Sequence, residues 1–166
     1  MWAYILVQMG NTFAGGGPVS HPYPHVLKVV ESLGGRRLLK SSIRTVAELD
    51  SAVRSGLPYR SFVRVAERFP EAERGRLERV VAPRSTLQRR QREGVLSAEE
   101  SERLERVARL VALAEQVWES PEAARRFLTT PHPQLDNQAP LELAATELGA
   151  RRVEALLWKL EYSLPV

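Results

Sequence analysis

The 166-residue chain contains no cysteine, which excludes disulfides, cysteine-ligated zinc and thiol catalysis. It also lacks a long apolar run, since the run at residues 3–7 is far too short to cross a bilayer. No Lys or Arg precedes that run and no cleavage site follows it, so we expect no secretory signal. These absences predict a cytoplasmic protein without a membrane partner.

Metal ligands are also scarce. His21 and His25 are four residues apart, but Pro22 and Pro24 prevent the helix that would bring them together. His132 is remote in sequence, so we expect no metal site.

Signatures of catalysis are missing too. The glycines at 15–17 are not followed by the Lys-Ser/Thr helix start of a phosphate loop, so we expect no cofactor there. The many carboxylates stand beside arginines at helical spacing, as in Glu102–Arg106 and Glu105–Arg109. This spacing is typical of solvated pairs on helix surfaces rather than catalytic acids, so we expect no enzyme.

Positive charge, by contrast, is concentrated in one part of the chain. The net charge is only +4, yet residues 60–92 carry ten Arg against four Glu, and residues 93–124 carry three Arg against eight Glu. Between Arg84 and Arg92 there are four Arg and no acid. Such a block suits a face that contacts a polyanion. An Arg-rich composition, with 21 of 24 basic residues being Arg, would produce the same block, and composition leaves both readings open.

The first third of the chain predicts an arm and a helical region. Residues 1–20 show no helical period and end in a glycine-rich stretch, so we expect a flexible arm whose apolar start could pair as a strand with another chain. Residues 21–58 predict two helices. The first, at 25–33, is stopped by Gly34-Gly35. The second, at 45–55, opens with a Thr45–Glu48 capping box and turns Val46, Leu49 and Val53 inward.

Residues 59–96 predict a helix-turn-helix. Apolar spacing and prolines place short helices at 61–69, 71–81 and 84–93, with tight breaks between them. Such a motif lays its last helix in the major groove of DNA. That helix has one strong apolar anchor, Leu87, so it is held by its neighbours and presents its polar face outward.

The direction of each side chain on that last helix follows from a turn of about 100° per residue, with Leu87 pointing inward. The opposite face and its flanks supply the candidate DNA contacts, Ser85, Thr86, Gln88, Arg89 and Arg92. Arg90 lies about 60° from Leu87 and is predicted to pair with a carboxylate such as Glu99, Glu100 or Glu102. The alternative is a basic helix that contacts only solvent.

Residues 97–166 predict a long connecting helix and a C-terminal helical domain. A Ser97–Glu100 capping box opens a helix to Trp118, with a buried stripe of Leu104, Val107, Val111, Ala114 and Trp118. Shorter helices follow at 121–128, from Pro140 to a stop at Gly149, and along Val153–Leu160. No strand is predicted after residue 40, so the fold class is all-α.

Two ordered groups of motifs carry a family resemblance. The first is Pro-Arg-Ser-Thr-Leu-Gln-Arg-Arg at 83–90, then Gly-Val-Leu-Ser at 94–97 and Glu-Glu-Ser-Glu-Arg-Leu at 99–104. The second begins with Pro-Leu-Glu-Leu at 140–143 and continues with Thr-Glu at 146–147, Gly-Ala at 149–150, Val-Glu-Ala-Leu-Leu at 153–157 and Leu-Glu-Tyr at 160–162. Together with Gly-Leu-Pro at 56–58, they resemble the Xre/MbcA/ParS antitoxin family of bacterial toxin–antitoxin pairs over residues 25–166.

Two positions depart from that family pattern. Family members often have Gly-Gly where this chain has Asp136-Asn137, and since both residues tolerate left-handed backbone, we expect the turn to persist. Many members also have Gly where this chain has Ser163.

The resemblance implies an antitoxin that neutralises a cognate toxin and represses its own operon by binding operator DNA. The partner toxin in this family is most often a RES-domain enzyme that degrades NAD, and less often an ADP-ribosyltransferase. The toxin-binding surface would lie around Pro140–Leu143 and at Arg151, Arg152, Trp158, Glu161, Tyr162, Leu164 and Val166.

The residue types near the end of the chain support that surface independently, because bulky apolar groups make good anchors for a partner pocket. Tyr162, Leu164 and Val166 suit this role, whereas Trp158 suits the protein's own core equally well. We expect at least a homodimer, because one short helix rarely reads a half-site tightly. Two alternatives stay open, a stand-alone helix-turn-helix regulator without a toxin and an adaptor that binds no DNA.

Overall fold

A computed structural model describes residues 26–40 and 42–162, and within these ranges the regular elements are helices. They are α1 (Val26–Ser32), α2 (Gly35–Leu39), α3 (Val46–Ser55), α4 (Tyr59–Ala66), α5 (Glu71–Val81), α6 (Arg84–Glu93), α7 (Ala98–Trp118), α8 (Pro121–Thr129), α9 (Pro140–Leu143) and α10 (Glu147–Glu161), with a 3₁₀ turn at Pro133–Leu135. The all-α prediction is confirmed. None of these helices combines the length and the apolar character needed to cross a membrane.

The long helix α7 lies at the centre of the molecule. It contacts α1 and α3 from the N-terminal half and α8 and α10 from the C-terminal half. Consequently its middle is buried on nearly all sides, and from Val107 to Ala114 every residue except Arg109 is buried. One continuous hydrophobic core therefore runs through both halves of the described chain.

Both predicted capping boxes are present. At the start of α3, the Thr45 hydroxyl accepts from the Glu48 N–H at 3.2 Å, and the Glu48 carboxylate accepts from the Thr45 N–H at 3.0 Å. At the start of α7, Ser97 and Glu100 make the same two contacts at 3.3 and 2.8 Å. Each box satisfies backbone donors that a helix start leaves without partners.

The predicted stop at Gly149 is wrong. Helix α9 already ends at Leu143, and α10 begins at Glu147 with Thr146 as its cap, so Gly149 lies inside α10. A Cβ atom at Gly149 would lie 2.1 Å from the carbonyl oxygen of Leu143. The glycine therefore allows a close approach between two backbones rather than ending a helix.

Other predictions shift at helix ends. The helix predicted at 61–69 runs from Tyr59 to Ala66, and the five-residue α2 was not predicted. Val46 and Trp118, both expected to be buried, are 47% and 41% exposed because they occupy the first position of α3 and the last of α7, at the edge of the packing. The predicted arm at 1–20 lies outside the described residues.

Candidate DNA and toxin interfaces

The helix-turn-helix is formed by α5 and α6, which are joined by Ala82 and Pro83. Leu87 is the buried residue of α6, only 3% exposed, and it packs into the core beside α5. The predicted phase of α6 is therefore correct, and the face opposite Leu87 points away from the protein.

The candidate DNA contacts share the outward side of α6. Ser85, Gln88, Arg89 and Arg92 are exposed, while Thr86 is half-buried at the flank. Arg89 forms a loose ion pair with Glu93 at 3.6 Å, and its side chain stays 57% exposed. Among the described residues, Arg92 has no ion-pair partner within 4.0 Å, so its charge is available to an external anion.

Arg90 plays a different role from its neighbour Arg89, as predicted. Its guanidinium donates to the Glu100 carboxylate at 2.7 and 3.1 Å and to Glu93 at 2.6 Å, and its side chain is only 18% exposed. Because Glu100 belongs to the capping box of α7, Arg90 ties α6 to the start of the central helix.

The electrostatics of Glu100 reflect this double use of its carboxylate. Burial raises the pKa of Glu100, but the hydrogen bonds from Arg90 and from the Ser97 backbone outweigh burial and lower its pKa below the usual value. The two carboxylates near Arg90 in turn raise the pKa of the guanidinium, chiefly through the hydrogen bond to Glu100. The pair is therefore charged at neutral pH.

Backbone contacts hold the C-terminal end of α6. Gly94 ends the helix in left-handed backbone, with φ of 79°, and its carbonyl accepts from the Tyr59 N–H at 3.0 Å. Next to it, the Leu96 N–H donates to the Leu57 carbonyl at 2.9 Å, and the Leu57 N–H donates to the buried Ser101 hydroxyl at 2.8 Å. The segment after α6 is thus joined to the segment before α4.

Glycine is required at the break before α4. Gly56 has φ of 91°, and a Cβ atom there would lie 2.5 Å from the Leu96 carbonyl oxygen. A larger residue would separate the two segments that hold α6 at its C-terminal end.

The C-terminal candidates are divided between two sides of α10. Arg151 and Arg152 are exposed, and they pair with Glu147 at 3.2 Å and with Asp136 at 2.6 Å. Tyr162 is 47% exposed and stacks on the half-buried Trp158 with ring centroids 5.8 Å apart.

The remaining residues of the predicted toxin-binding surface either face the protein, are largely buried or lie outside the described residues. The Glu161 carboxylate accepts from Gln116 of α7 at 3.5 Å, on the side of α10 that faces the protein. Pro140 and Leu141 are buried, so the predicted surface at Pro140–Leu143 is largely core, because α9 packs against α5, α8 and α10. Leu164 and Val166 lie outside the described residues.

The turn that carries Asp136 keeps the predicted left-handed backbone. Asp136 has φ of 55° and Asn137 has φ of 56°. This conformation is tolerated by Asn and Asp better than by most residues, and the prediction is confirmed. It also places the Asp136 carboxylate beside Arg152.

The prediction of solvated pairs along α7 is wrong for Arg109. Its side chain is 11% exposed and lies 2.9 Å from Glu154, 3.1 Å from Glu147 and 3.7 Å from Glu105. Burial raises the pKa of Glu154, the nearby Arg109 opposes this effect, and the net shift is upward. The cause is that α10 covers this face of α7, which a local spacing of four residues does not reveal.

Arg106, the other arginine of those predicted pairs, also faces the C-terminal half. Its guanidinium donates to the carbonyls of Ala144 and Ala145 at 3.0 and 3.1 Å. These carbonyls lie in the break between α9 and α10, so Arg106 satisfies acceptors that the end of α9 leaves without helical partners.

Comparison with known proteins matches both halves of the chain. Residues 48–109 match the antitoxin Xre-like helix-turn-helix domain, and residues 113–162 match the antitoxin Xre/MbcA/ParS C-terminal toxin-binding domain. The chain is also 27% identical to a protein named Antitoxin Xre from Pseudomonas putida strain KT2440, over 115 residues that cover 68% of this chain and 70% of that relative.

Proposed function

Since the chain belongs to the Xre/MbcA/ParS antitoxin family, we propose that it neutralises a RES-domain toxin that degrades NAD and represses its own operon. The observation that carries this proposal is the order of the two matched domains, a helix-turn-helix followed by a toxin-binding domain. An ADP-ribosyltransferase is the second candidate toxin. We expect no catalysis by the chain itself and a cytoplasmic location, where operator DNA and NAD are both found.

We assign DNA binding and toxin binding to different parts of the chain. We assign DNA binding to residues 59–96 through Ser85, Thr86, Gln88, Arg89 and Arg92. We assign toxin binding to residues 97–166 through Arg151, Arg152, Trp158, Tyr162 and the residues that follow. The orientation of α6 supports the first assignment, because Arg90 is used internally while Arg89 and Arg92 face outward.

The toxin half is tested by expressing the neighbouring gene alone and together with this chain, while growth and cellular NAD are measured. We expect the neighbour alone to stop growth and deplete NAD, and co-expression to restore both. A harmless neighbour, or toxicity that persists beside a stable and folded chain, would contradict the antitoxin function. Toxicity that is rescued without any NAD loss would point to the other toxin class.

The DNA half is tested by a salt titration of binding to the chain's own promoter, because phosphate contacts give a steep negative slope. Arg89→Gln should weaken binding by roughly 5- to 150-fold if Arg89 contacts a base edge. Arg126→Gln is the matched control, since Arg126 is an exposed arginine on α8, which is not part of the helix-turn-helix. Equal losses in the two variants would contradict the role of Arg89.

The stoichiometry on DNA is part of the same proposal. We propose that the chain binds its operator as a homodimer or larger assembly, because two recognition helices are needed to read two half-sites. Sedimentation with and without promoter DNA measures this, and a one-to-one complex on a single half-site would contradict it.

A further inference from the structure

Three apolar residues lie in line along α10 and its C-cap, the exposed Leu148, the half-buried Ala155 and the exposed Tyr162, and we call them the α10 stripe. They are seven residues apart, so each step is about two turns, or roughly 10.5 Å along the axis. Leu148 is 78% exposed, more than any other large apolar side chain in the described residues, and Tyr162 is 47% exposed. The core-facing side of the same helix is already filled by Val153, Leu156 and Leu157.

The charges beside the α10 stripe have one sign along the helix. At about 100° per residue, Arg151, Arg152 and Lys159 all lie within about 60° of Leu148. The carboxylates of α10, Glu147, Glu154 and Glu161, lie about 100° or more from it. The α10 stripe is therefore an apolar line flanked by cations.

The cations differ in their existing partners. Arg152 pairs with Asp136, whose side chain is 73% exposed, and Arg151 pairs with Glu147 at the rim. Lys159 forms no ion pair within the described part of the chain. Two of the three charges are thus held in place, and all three stay accessible to an external carboxylate.

We propose that the α10 stripe and its three cations dock the cognate toxin, which presents an apolar groove edged by carboxylates. This proposal rests on the antitoxin function proposed above and adds Leu148 as its most exposed apolar anchor. Exposed apolar residues bordered by charged residues are typical of protein interfaces. When a helix binds in a groove, apolar side chains at helical spacing make the main contacts. Charge complementarity selects the acidic partner.

A second copy of this chain fits the α10 stripe less well. Antiparallel pairing about Ala155 would place Leu148 against Tyr162 of the second copy. It would also bring Arg151 opposite Lys159 of the second copy, and like charges at an interface disfavour association. The charges therefore disfavour this homodimer.

The test uses the full-length chain and the purified product of the adjacent toxin gene, with affinity measured by titration calorimetry. Leu148→Glu should weaken binding by roughly 30-fold or more, as expected for an apolar anchor that is replaced by a charge repelled by the partner's carboxylates. The matched control is Leu27→Glu on α1, which changes another leucine that is 59% exposed and should alter affinity by less than about twofold. Circular dichroism checks that both variants remain folded.

The outcomes separate this proposal from the one on which it rests. If the wild-type chain does not bind the neighbour at all, the antitoxin function fails and the docking face fails with it. If wild type and Leu148→Glu bind equally, the docking face is overturned while the antitoxin function stands. If Leu148→Glu breaks a homodimer in sedimentation and leaves toxin affinity unchanged, the stripe belongs to a second copy and the proposal is also overturned.

Discussion

Two partly buried arginine clusters, one between α6 and α7 and one between α7 and α10, contain the same residue types but shift the pKa of their buried carboxylates in opposite directions. The Arg90 cluster joins Arg90 to Glu93 and Glu100, and the Arg109 cluster joins Arg109 to Glu105, Glu147 and Glu154. In the first, the buried carboxylate has a lowered pKa, and in the second it has a raised pKa. The presence of an ion pair therefore does not tell whether the charged state is favoured.

The difference arises from the number of partners around each carboxylate. Glu100 receives hydrogen bonds from both Arg90 and the Ser97 backbone, so its negative charge is well compensated. Glu154 shares one guanidinium with two other carboxylates, which raise its pKa further. A buried charge is stabilised by its hydrogen bonds rather than by burial beside an opposite charge.

The largest expected effect is the loss of Arg109. Arg109→Met should lower the free energy of unfolding by about 3–5 kcal/mol, because removing one partner leaves buried carboxylates without compensation. Urea denaturation of the purified chain measures this.

A double variant shows whether the stability lost in Arg109→Met is due to uncompensated charge or to packing. Arg109→Met with Glu154→Leu removes the buried charge together with its partner and should recover at least half of the lost stability, since an apolar replacement of a buried pair is often neutral. If the double variant is no more stable than Arg109→Met alone, the loss is due to packing and not to charge.

Loss of Arg90 should have a smaller effect on stability and a larger effect on DNA binding. Glu100 would keep the Ser97 contact, but α6 would lose its tie to α7. We expect Arg90→Met to unfold at a higher urea concentration than Arg109→Met and to bind promoter DNA about tenfold more weakly than wild type. Unchanged DNA affinity would show that Leu87 and the backbone contacts at Gly94 and Leu96 orient α6 without Arg90.

Lowering the pH should change the contributions of Glu100 and Glu154 to folding stability in opposite directions. The pKa of Glu100 is lowered on folding, so its contribution is complete above the unfolded pKa near 4.5 and is lost as the pH falls below it. The pKa of Glu154 is raised on folding, so the folded chain binds a proton first and gains stability as the pH falls toward 4.5 from above.

The corresponding measurement is the unfolding free energy between pH 7 and pH 3 for wild type, Glu100→Gln and Glu154→Gln. The wild type should gain relative to Glu154→Gln on going from pH 7 to pH 5, and lose relative to Glu100→Gln below about pH 4.5. Parallel pH profiles for all three proteins would contradict the difference between the clusters.

The smallest effect is expected for a pair on the surface of α3. Arg54 and Asp50 are 2.8 Å apart, with side chains 75% and 56% exposed. Asp50→Asn should change the unfolding free energy by less than about 0.5 kcal/mol, because solvent screens exposed pairs. A loss comparable to that in Arg109→Met would mean that burial is not what separates the clusters from this pair.

Local sequence patterns predicted the features that depend on neighbours in the chain. Both capping boxes, the left-handed turn at Asp136-Asn137 and the pairing of Arg90 with Glu100 are confirmed, since each involves residues at most ten apart. Helical phase alone distinguished Arg89 from Arg90, because Leu87 is a single clear reference on α6.

The failures concern contacts between distant segments. Glu105 and Arg109 show the spacing of a solvated pair, and only the packing of α10 on α7 makes their cluster buried. The sequence predicts a helix stop at Gly149, whereas the glycine is required by its close approach to the Leu143 carbonyl of another helix, which no local pattern reveals. No orientation was predicted for Leu148, because the predicted helix stop at Gly149 placed it at the end of one helix, whereas it lies at the start of α10.

The buried middle of α7 has a consequence for how such chains can diversify. Because α7 packs against both halves along the same few turns, neither domain can be exchanged without changing the packing of the other. A recombinant that took its C-terminal half from another protein would keep Glu105 beside Arg109 but lose Glu147 and Glu154, unless the replacement supplied carboxylates at those two places. If the outward side of α10 docks the toxin as proposed, substitutions there would change the partner and leave the shared helix untouched.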